Sequence, residues 1–514
     1  MATYTYFLLI SFVLFNCFLA WKEVYAKPNV PRQDITFQFN RSCFPPDFIF
    51  GTASSAYQYE GAANEGGRGP SIWDTYTHQH PERIRDLSNG DVAVDFYHRY
   101  KEDIKLMKYE GFDAFRFSIS WSRVLPYGKL SMGVNKEGIA FYNDLINELL
   151  ANGIEPVVTL FHWDTPQALE DEYLGFLNYK IVEDFRDYAE VCFKEFGDRV
   201  KLWSTINEPW SFAFAGYDLG LFAPGRCSVL TNTCVSGNSA TEPYVVAHNL
   251  LLAHAAATKL YIHQYKKSQK GEIGIVLVSN WFEPYSKSEE DAEAAQRALD
   301  FMFGWFMSPL TYGDYPENMR KLVGSRLPNF TAEEAEMVKG SFDFLGLNYY
   351  TSTYARNKIT PVDNNLNPRY STDSQVTQTP LRNGKFIGEP TGSSNILVVP
   401  RGLRNLLVYA KEKYDNPIIY ITENGMSDIN TRAVEPGVND IQRVNFHRRH
   451  LLMLNDALKD GVKVKGYLAW SLLDNFEWAS GYTQRFGLNY IDFENNLKRY
   501  PKRSALWFKQ FLLQ

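Results

Sequence analysis

The amino-acid sequence predicts an α/β protein that folds as a single (β/α)8 barrel, the TIM-barrel architecture. Short, almost continuous apolar runs alternate with amphipathic segments, and such runs are typical of parallel strands covered on both faces. Eight runs are predicted strands: Phe48–Ala53, Ala114–Ser120, Pro156–His162, Leu202–Asn207, Ile273–Ser279, Phe342–Asn348, Pro417–Thr422 and Val464–Ser471. A doubly wound sheet would show the same alternation, but no glycine-rich phosphate loop follows an early strand.

The segments between these strands have helical periodicity. The helical patterns are Tyr142–Asn152, Ile181–Phe196, Ala247–Gln264, Glu290–Phe306, Gly402–Tyr414 and Asn445–Asp460. A chain of 514 residues could hold several domains, but a barrel of this type runs long as one domain. We therefore predict one barrel domain over residues 27–514. Its long polar loops 218–244 and 355–396 follow the fourth and sixth strands and are expected to wall a substrate pocket.

The first 26 residues have the features of a secretory signal peptide. Phe7–Ala20 is apolar but too short to cross a membrane, and the small residue Ala26 precedes Lys27. No basic residue precedes the apolar run, so a buried N-terminal helix is the alternative. We predict that residues 1–26 are removed and that the protein enters the secretory pathway, with the cell wall, another extracellular location or the vacuole as its destination.

Cysteine and asparagine positions agree with secretion. Cys227 and Cys234 flank a short loop rich in serine, threonine and asparagine, which predicts a disulfide bond in an oxidising compartment. Asn40 and Asn329 each begin an Asn-X-Ser/Thr sequence, the acceptor for N-glycosylation.

Charge and histidine spacing exclude several classes of function. The chain carries 53 basic and 59 acidic residues in an interspersed pattern, so nucleic-acid binding is not expected. No second segment of membrane length follows the N-terminal one, and no membrane partner is expected. The nine histidines lack metal-ligand spacing, so a metal site is not expected. A homo-oligomer is compatible with the sequence, which does not specify the oligomeric state.

Two glutamates stand at the ends of predicted strands. Glu208 follows the fourth strand and precedes a proline, and Glu423 follows the seventh strand and precedes Asn-Gly. All strands of a (β/α)8 barrel end on one face, where active sites lie, so the two carboxyls are expected at one mouth. Hydrolysis of a glycosidic bond requires two such carboxyls. A lone strand-end glutamate, by contrast, is more often a helix cap partner or part of a surface ion pair.

Polar and aromatic side chains also follow the other strands. They are Gln58, Arg116, Trp121, His162, Trp163, Asn280, Trp281, Asn348, Tyr350, Trp470, Glu477 and Trp478. Arg116 could supply a cation that keeps Glu423 ionised, and the negative charge of Glu423 would raise the pKa of Glu208. Glu423 would then attack the sugar while Glu208 first donates and later accepts a proton.

The motifs around these residues resemble glycoside hydrolase family 1, specifically the secreted β-glucosidases of plants. The resemblance runs from about Phe44 to Phe511. Its motifs are Phe50–Gly61, Phe115–Trp121, Thr205–Pro209, Ile421–Gly425 and Asn475–Trp478. It implies a (β/α)8 barrel, a retaining mechanism, a small glycoside substrate and no cofactor, with Glu208 as acid/base and Glu423 as nucleophile.

The same resemblance implies roles for further residues. Gln58, His162, Asn207, Glu477 and Trp478 would bind hydroxyls of the terminal sugar, Trp470 would stack under its ring, and Phe486 would lie near the 6-position. Tyr350 and Asn348 would support the nucleophile beside Arg116. Cys227 and Cys234 match the loop disulfide of plant members. Asn395 stands where a tryptophan is common on the aglycone side, so the sequence does not identify the aglycone.

The function predicted from these residues is a retaining β-glucosidase that removes terminal β-D-glucose, or a close relative, from small plant glycosides. A diglycosidase that releases a disaccharide would use the same carboxyl pair, with a pocket that opens near Phe486 and Ala479. A thioglucosidase is disfavoured, because the related thioglucosidases have glutamine in place of the acid/base glutamate and this chain keeps Glu208. A transglycosidase would share both glutamates and stays an alternative. A non-catalytic carbohydrate-binding or storage barrel is the alternative of another class, which the intact Glu208 and Glu423 disfavour.

Overall fold

Eight parallel strands close into a barrel, and a helix packs outside after each strand. The computed structural model describes residues 39–228, 234, 236–358, 368–431 and 433–513, and the predicted signal peptide lies outside these ranges. Numbered β1 to β8 in chain order, the barrel strands are Ile49–Ala53, Ala114–Ser118, Glu155–Phe161, Leu202–Asn207, Glu272–Val278, Phe344–Asn348, Ile419–Asn424 and Val464–Ala469. Each strand pairs with its neighbours in the sequence, and β8 closes on β1.

All eight predicted strands are confirmed, and the predicted fold class with them. The bounds differ by one or two residues at most ends, and β7 extends through Glu423 to Asn424. The helices that follow β1 to β8 are Phe96–Glu110, Lys136–Ala151, Lys180–Phe196, Glu242–Leu260, Glu289–Leu299, Pro400–Lys413, Ile441–Lys459 and Arg503–Leu512. Residues 40–514 form one compact unit, and no helix in the described ranges is long and apolar enough to cross a membrane.

The helix Lys180–Phe196 illustrates how the sequence forms the outer layer. It buries Ile181, Phe185, Tyr188 and Cys192, which are spaced three or four residues apart and therefore share one face. Cys192 is a fully buried free thiol on that face. Charged residues occupy the opposite face, so packing of this apolar stripe against the barrel positions the helix.

The barrel interior is apolar at one end and polar at the other. Ile49, Ala114, Val157, Leu202 and Leu468 pack together, and most of them lie near the N-terminal ends of their strands. The polar residues lie towards the C-terminal ends. An apolar plug therefore closes the bottom of the barrel, and a polar surface faces the mouth.

The two predicted long loops contribute to the mouth, although one has more structure than expected. After β4, the helix Pro209–Tyr217 leads into a loop closed by the Cys227–Cys234 disulfide, as predicted. After β6, the segment predicted as a polar loop contains short strands. Ser352–Asn357 pairs with Trp281–Pro284 and Val376–Thr379 in a three-stranded sheet. These strands are short and polar, so the sequence pattern did not distinguish them from loop.

Candidate active site

Glu208 and Glu423 lie on the wall of one cavity at the mouth of the barrel. The cavity has a volume of about 410 Å3. The two carboxyl side chains come from the ends of β4 and β7 and belong to residues that are only 6% and 3% exposed. The structure therefore brings the two strand-end glutamates to the same mouth, as the barrel topology predicted.

Glu423 is held by a cation and a phenol. Arg116 Nη1 donates to Glu423 Oε1 at 2.6 Å, and Tyr350 Oη donates to Oε2 at 2.5 Å. Arg116 is fully buried, and its other groups donate to Asn207 Oδ1 at 2.7 Å and to Thr159 Oγ1 at 3.1 Å. Burial and the charge of Glu423 raise the pKa of Tyr350 well above its usual value, so the phenol remains a donor. Two such donors suit an ionised carboxylate.

Among the described residues, no lysine or arginine forms an ion pair with Glu208 of the kind that Arg116 forms with Glu423. Asn348 Nδ2 donates to Glu208 Oε1 at 2.6 Å, and Ser211 Oγ donates to Oε2 at 2.6 Å. Burial, and then the negative charge of Glu423, raise the pKa of Glu208 to about 7. The carboxyl of Glu208 can therefore hold a proton near neutral pH. The two donors around Glu423, by contrast, suit an ionised carboxylate.

The position of Asn348 corrects one expectation. The resemblance implied that it supports the nucleophile, and Asn348 does pair with Glu423 between β6 and β7. Its side-chain amide, however, donates to Glu208, and to Asn207 Oδ1 at 3.2 Å. The reason is a hydrogen bond from Thr422 Oγ1, which fixes Asn348 Oδ1 at 2.7 Å. With its oxygen turned towards β7, the amide nitrogen points to β4 and the carboxyl of Glu208.

The predicted sugar-binding residues divide into a lining group and a supporting group. The lining group consists of His162, Trp470, Glu477, Trp478 and Phe486. The supporting group, Gln58 and Asn207, is fully buried. Gln58 Nε2 donates to Asn475 Oδ1 and Phe476 O at 2.9 Å each, and to Glu477 Oε2 at 3.4 Å. Gln58 thereby orients Glu477 towards the cavity.

Burial also determines the protonation of two lining residues. It raises the pKa of Glu477 to about 8, with the charges of Glu423 and Glu208 adding to the effect. For His162, burial and the charge of Arg116 lower the pKa well below its usual value, so the imidazole is neutral. Asn207 Nδ2 lies 3.1 Å from His162 Nε2, which assigns the proton to Nδ1.

Three residues of the cavity wall have a strained backbone conformation. Trp163, Glu208 and Trp478 are non-glycine residues with φ of 72°, 44° and 50°, the left-handed region. Such conformations cost about 1–3 kcal/mol each and persist only where the surrounding contacts maintain them. One such contact is the hydrogen bond from Trp163 Nε1 to Asn207 O, at 2.8 Å. The strain indicates a site whose geometry is set before substrate arrives.

The glycine that follows the nucleophile motif allows two strand ends to approach each other. A Cβ atom at Gly425 would lie 2.0 Å from the carbonyl oxygen of Trp470. The absence of a side chain at this position lets the end of β7, with Glu423, pack against the end of β8, with Trp470.

The cavity also has a largely apolar wall. The apolar side chains that line it include Trp210, Phe214, Leu221, Phe222 and Ile396. Asn395, predicted on the aglycone side, also lines the cavity and is exposed. Within the described ranges, no group of acidic, histidine or cysteine side chains could hold a metal ion.

Several lining residues were not predicted from the sequence. Ser211 and Phe214 belong to the helix Pro209–Tyr217, Phe222 belongs to the loop that follows it, and Gln484 belongs to a short strand after β8. The spacing of three residues between Glu208 and Ser211, at the start of a helix, was the available signal for the serine. The others depend on how the loops fold over the mouth.

A closed (β/α)8 barrel with two buried, differently held carboxyls in one cavity defines a glycoside hydrolase type of site. Residues 40–514 match the family model described as "Glycosyl hydrolase family 1", and the chain belongs to that family. This confirms the resemblance noted in the motifs, and the protein is a retaining O-glycoside hydrolase of the β-glucosidase type.

The chain is similar to plant enzymes over most of its length. It is 63% identical over 467 residues to furcatin hydrolase of Viburnum furcatum, covering 91% of this chain and 86% of that protein. It is 60% identical over 478 residues to beta-glucosidase 12 of Oryza sativa subsp. indica, covering 92% and 93%. A mutant of rice Os3BGlu6 β-glucosidase in a covalent complex with glucose matches with a TM-score of 0.91 and 53% identity, covering 92% of this chain and 99% of that chain.

Proposed function

We propose that this enzyme removes a terminal β-linked glucose from glycosides of small, largely apolar plant alcohols or phenols. In this proposal, Glu423 is the nucleophile and Glu208 is the acid/base. The observation that supports these roles is the difference between the two carboxyls within one cavity. Glu423 accepts hydrogen bonds from Arg116 and Tyr350, while the pKa of Glu208 is raised to about 7.

The reaction would proceed in two steps. Glu423 attacks the anomeric carbon as the bond to the aglycone oxygen breaks, and Glu208 donates its proton to that leaving oxygen. The product is a glucosyl ester of Glu423. Because the ester carries no charge, the pKa of Glu208 falls, and Glu208 can accept a proton from the water that hydrolyses the ester. Arg116 and Tyr350 hold the carboxylate for attack and receive it again when the ester is cleaved.

The shape and polarity of the cavity support a small apolar aglycone. A volume of about 410 Å3 lies within the range of small-molecule pockets. Polar side chains surround the catalytic pair, whereas Trp210, Phe214, Leu221 and Phe222 give the same cavity a largely apolar wall. Asn395 adds one exposed amide to that surface.

A panel of glycosides tests this proposed substrate class. We expect kcat/KM to be at least about tenfold higher for glucosides of aromatic or terpenoid alcohols than for cellobiose, because an apolar wall discriminates by burial of apolar surface. A preference for cellobiose or longer glucose oligomers would contradict the proposal.

The raised pKa of Glu208 predicts the basic limb of the pH profile. Glu208 must be protonated to act as the acid, so kcat/KM is expected to fall as pH rises through about 7. The hydrogen bond from Ser211 holds this pKa lower than burial alone would, so Ser211→Ala should move the basic limb to higher pH. Initial rates between pH 4 and 10 at low substrate measure both effects. A basic limb near the ordinary glutamate pKa, or a downward move in Ser211→Ala, would contradict the assignment.

A diglycosidase is the second candidate, and the wall around Phe486 favours it. Three further residues of the stretch 479–486 line the cavity together with Phe486: the small residues Ala479 and Ser480, and Gln484. Ser393 Oγ donates to Gln484 Oε1 at 2.5 Å, which leaves the amide nitrogen of Gln484 available to an oxygen of a second sugar. The test compares a monoglucoside with a 6-linked disaccharide glycoside of the same aglycone. Release of intact disaccharide at the higher kcat/KM would favour the diglycosidase.

We also propose that the protein is a secreted glycoprotein. Support comes from the apolar segment before Lys27, the Cys227–Cys234 disulfide and the exposed acceptor Asn329. Expression of the full chain in a eukaryotic host should give a protein in the medium or vacuole that begins at Lys27 and loses mass on treatment with an N-glycosidase. Retention of residues 1–26 in the cytosol would contradict this proposal.

A further inference from the structure

We infer that Asp474 is a positioning residue for the cavity wall formed by Gln484 and Phe486, and that it thereby controls how tightly the enzyme holds its sugar. This inference rests on the proposed function of the cavity. Asp474 is fully buried and lies outside the cavity lining, and the chemistry described above does not use it. Its importance follows from what its two oxygens contact.

Four donors converge on the carboxylate of Asp474. Lys502 Nζ and the backbone nitrogen of Gly487 donate to Oδ1 at 2.7 and 3.0 Å. Arg485 Nη1 and the backbone nitrogen of Ile491 donate to Oδ2 at 2.5 and 3.3 Å. Two of these donors, on Arg485 and Gly487, flank Phe486 in the chain. The carboxylate therefore binds the chain on both sides of Phe486, a lining residue.

Asp474 also belongs to the other lining segment after β8. It stands between Trp470 and the pair Glu477 and Trp478, all three of which line the cavity. Its backbone nitrogen donates to Asn489 O at 3.0 Å, which anchors the segment. One carboxylate thus joins the two stretches of chain that form this side of the sugar pocket.

Strand geometry explains how a residue outside the cavity sets the lining. Gln484–Arg485 pairs with Asp428–Ile429 as an antiparallel ladder, in which successive side chains point to opposite faces. Gln484 and Phe486 line the cavity, so Arg485 points away from it, towards Asp474. Arg485 Nε also donates to Asn430 Oδ1 at 2.7 Å. Because Asp474 holds Arg485 on the side away from the cavity, it also fixes the direction of the neighbouring side chains Gln484 and Phe486.

Phe486 of this wall contacts Tyr350, the phenol that donates to Glu423. The rings of Phe486 and Tyr350 meet edge to face, with centroids 6.2 Å apart and an interplanar angle of 89°. Tyr350 donates to Glu423. Displacement of Phe486 would therefore first alter the sugar-facing surface, while Arg116 continues to hold Glu423.

The charges around Asp474 make it a strong anchor. Burial opposes its negative charge, but Lys502 and Arg485 outweigh this effect and lower the pKa of Asp474. Lys502 is itself fully buried. Removal of the anion would leave two buried cations without their shared partner, and the wall segment would have to move to solvate them.

A second buried ion pair provides a matched control. Asp103 is fully buried and accepts from Arg499 Nε at 2.8 Å and Nη2 at 3.0 Å. It lies on the helix after β1, and its partner lies on a short strand next to Lys502 in the chain. Neither residue lines the cavity. The link to the wall is indirect, because Arg499 pairs through its backbone with Ile491, whose backbone nitrogen donates to Asp474. Asp103→Asn therefore carries a comparable folding cost while its own side chain contacts Arg499 and not the wall residues Gln484 and Phe486.

The test measures kinetics and sugar affinity of the full-length enzyme. For Asp474→Asn we expect KM for a simple aryl glucoside to rise about tenfold with kcat within about threefold, and Kd for glucose to rise about tenfold. Binding of glucose is followed by the change in intrinsic tryptophan fluorescence, to which the cavity residues Trp470 and Trp478 contribute, and this measurement does not require turnover. Asp103→Asn should leave KM, kcat and Kd within about twofold of the wild type. Wild-type turnover of the aryl glucoside in the same assay tests the proposed function separately.

A second variant covers the case in which Asp474→Asn does not fold. Arg485→Lys keeps the buried charge beside Asp474 but loses the donation to Asn430, and it should raise KM and Kd in the same direction. In addition, Asp474→Asn should have little further effect on Kd in a Phe486→Ala background, because both changes act on one wall. The inference is overturned if Arg485→Lys, or a folded Asp474→Asn, leaves Kd for glucose within twofold of the wild type. Equal effects of Asp474→Asn and Asp103→Asn would overturn it as well.

Discussion

Glu423→Gln is expected to lower kcat/KM by about 10⁴ to 10⁶, the size of effect seen when the nucleophile of a covalent mechanism is removed. An amide cannot form the glucosyl ester, so neither step proceeds by the same route. Its oxygen can still accept from Arg116, whereas Glu423→Ala would leave that buried cation without its partner and cost about 3–5 kcal/mol of stability. Initial rates with an aryl glucoside measure the effect, with thermal unfolding to check the fold.

Glu110→Gln is a suitable control for this variant. Glu110 is also a fully buried glutamate, and burial raises its pKa to about 8, but it lies outside the cavity on the helix after β1. Its replacement should leave kcat/KM close to the wild-type value. A loss of less than about 100-fold in Glu423→Gln, or an equal loss in Glu110→Gln, would contradict the role assigned to Glu423.

Glu208→Gln should show the second-largest effect, and the effect should depend on the leaving group. Loss of the general acid is expected to slow hydrolysis of alkyl glucosides by about 10² to 10⁴. A dinitrophenyl glucoside needs little protonation to leave, so its first step should be affected much less. The second step then lacks its base, and the glucosyl ester should accumulate.

An added anion distinguishes this behaviour from general damage to the site. Azide can attack the ester without losing a proton, so it should restore turnover of the dinitrophenyl glucoside in Glu208→Gln and give β-glucosyl azide. The same addition should not restore Glu423→Gln in this way, because no ester forms there. Equal losses for both leaving groups, with no azide product, would count against Glu208 as acid/base.

The fold and the meeting of the two glutamates in one cavity could be predicted because they depend on local pattern and on topology. Apolar runs identified the strands, and a closed barrel places all strand ends on one face, so Glu208 and Glu423 had to meet once both were recognised as strand ends. Gln58 and His162 could be included on the same grounds, together with the family motifs. These inferences did not require knowledge of any side-chain direction.

The remaining features depend on contacts between distant segments. Asn348 faces Glu208 because a hydrogen bond from Thr422 turns its amide, and no sequence pattern encodes that orientation. Phe222 reaches the cavity because the loop after β4 folds back over the mouth. The role inferred for Asp474 likewise arises from four donors supplied by a region that follows it in the chain.

A 2-deoxy-2-fluoroglucoside with a good leaving group shows directly whether Glu423 forms the covalent intermediate. Fluorine at C2 disfavours the positively charged transition states of both steps, and the good leaving group lets the first step proceed, so the ester is trapped. Peptide mapping by mass spectrometry then locates the label. We expect the added 2-fluoroglucosyl mass on the peptide that contains Glu423, with activity lost in proportion. A label on Glu208, or no label in an active preparation, would contradict the account.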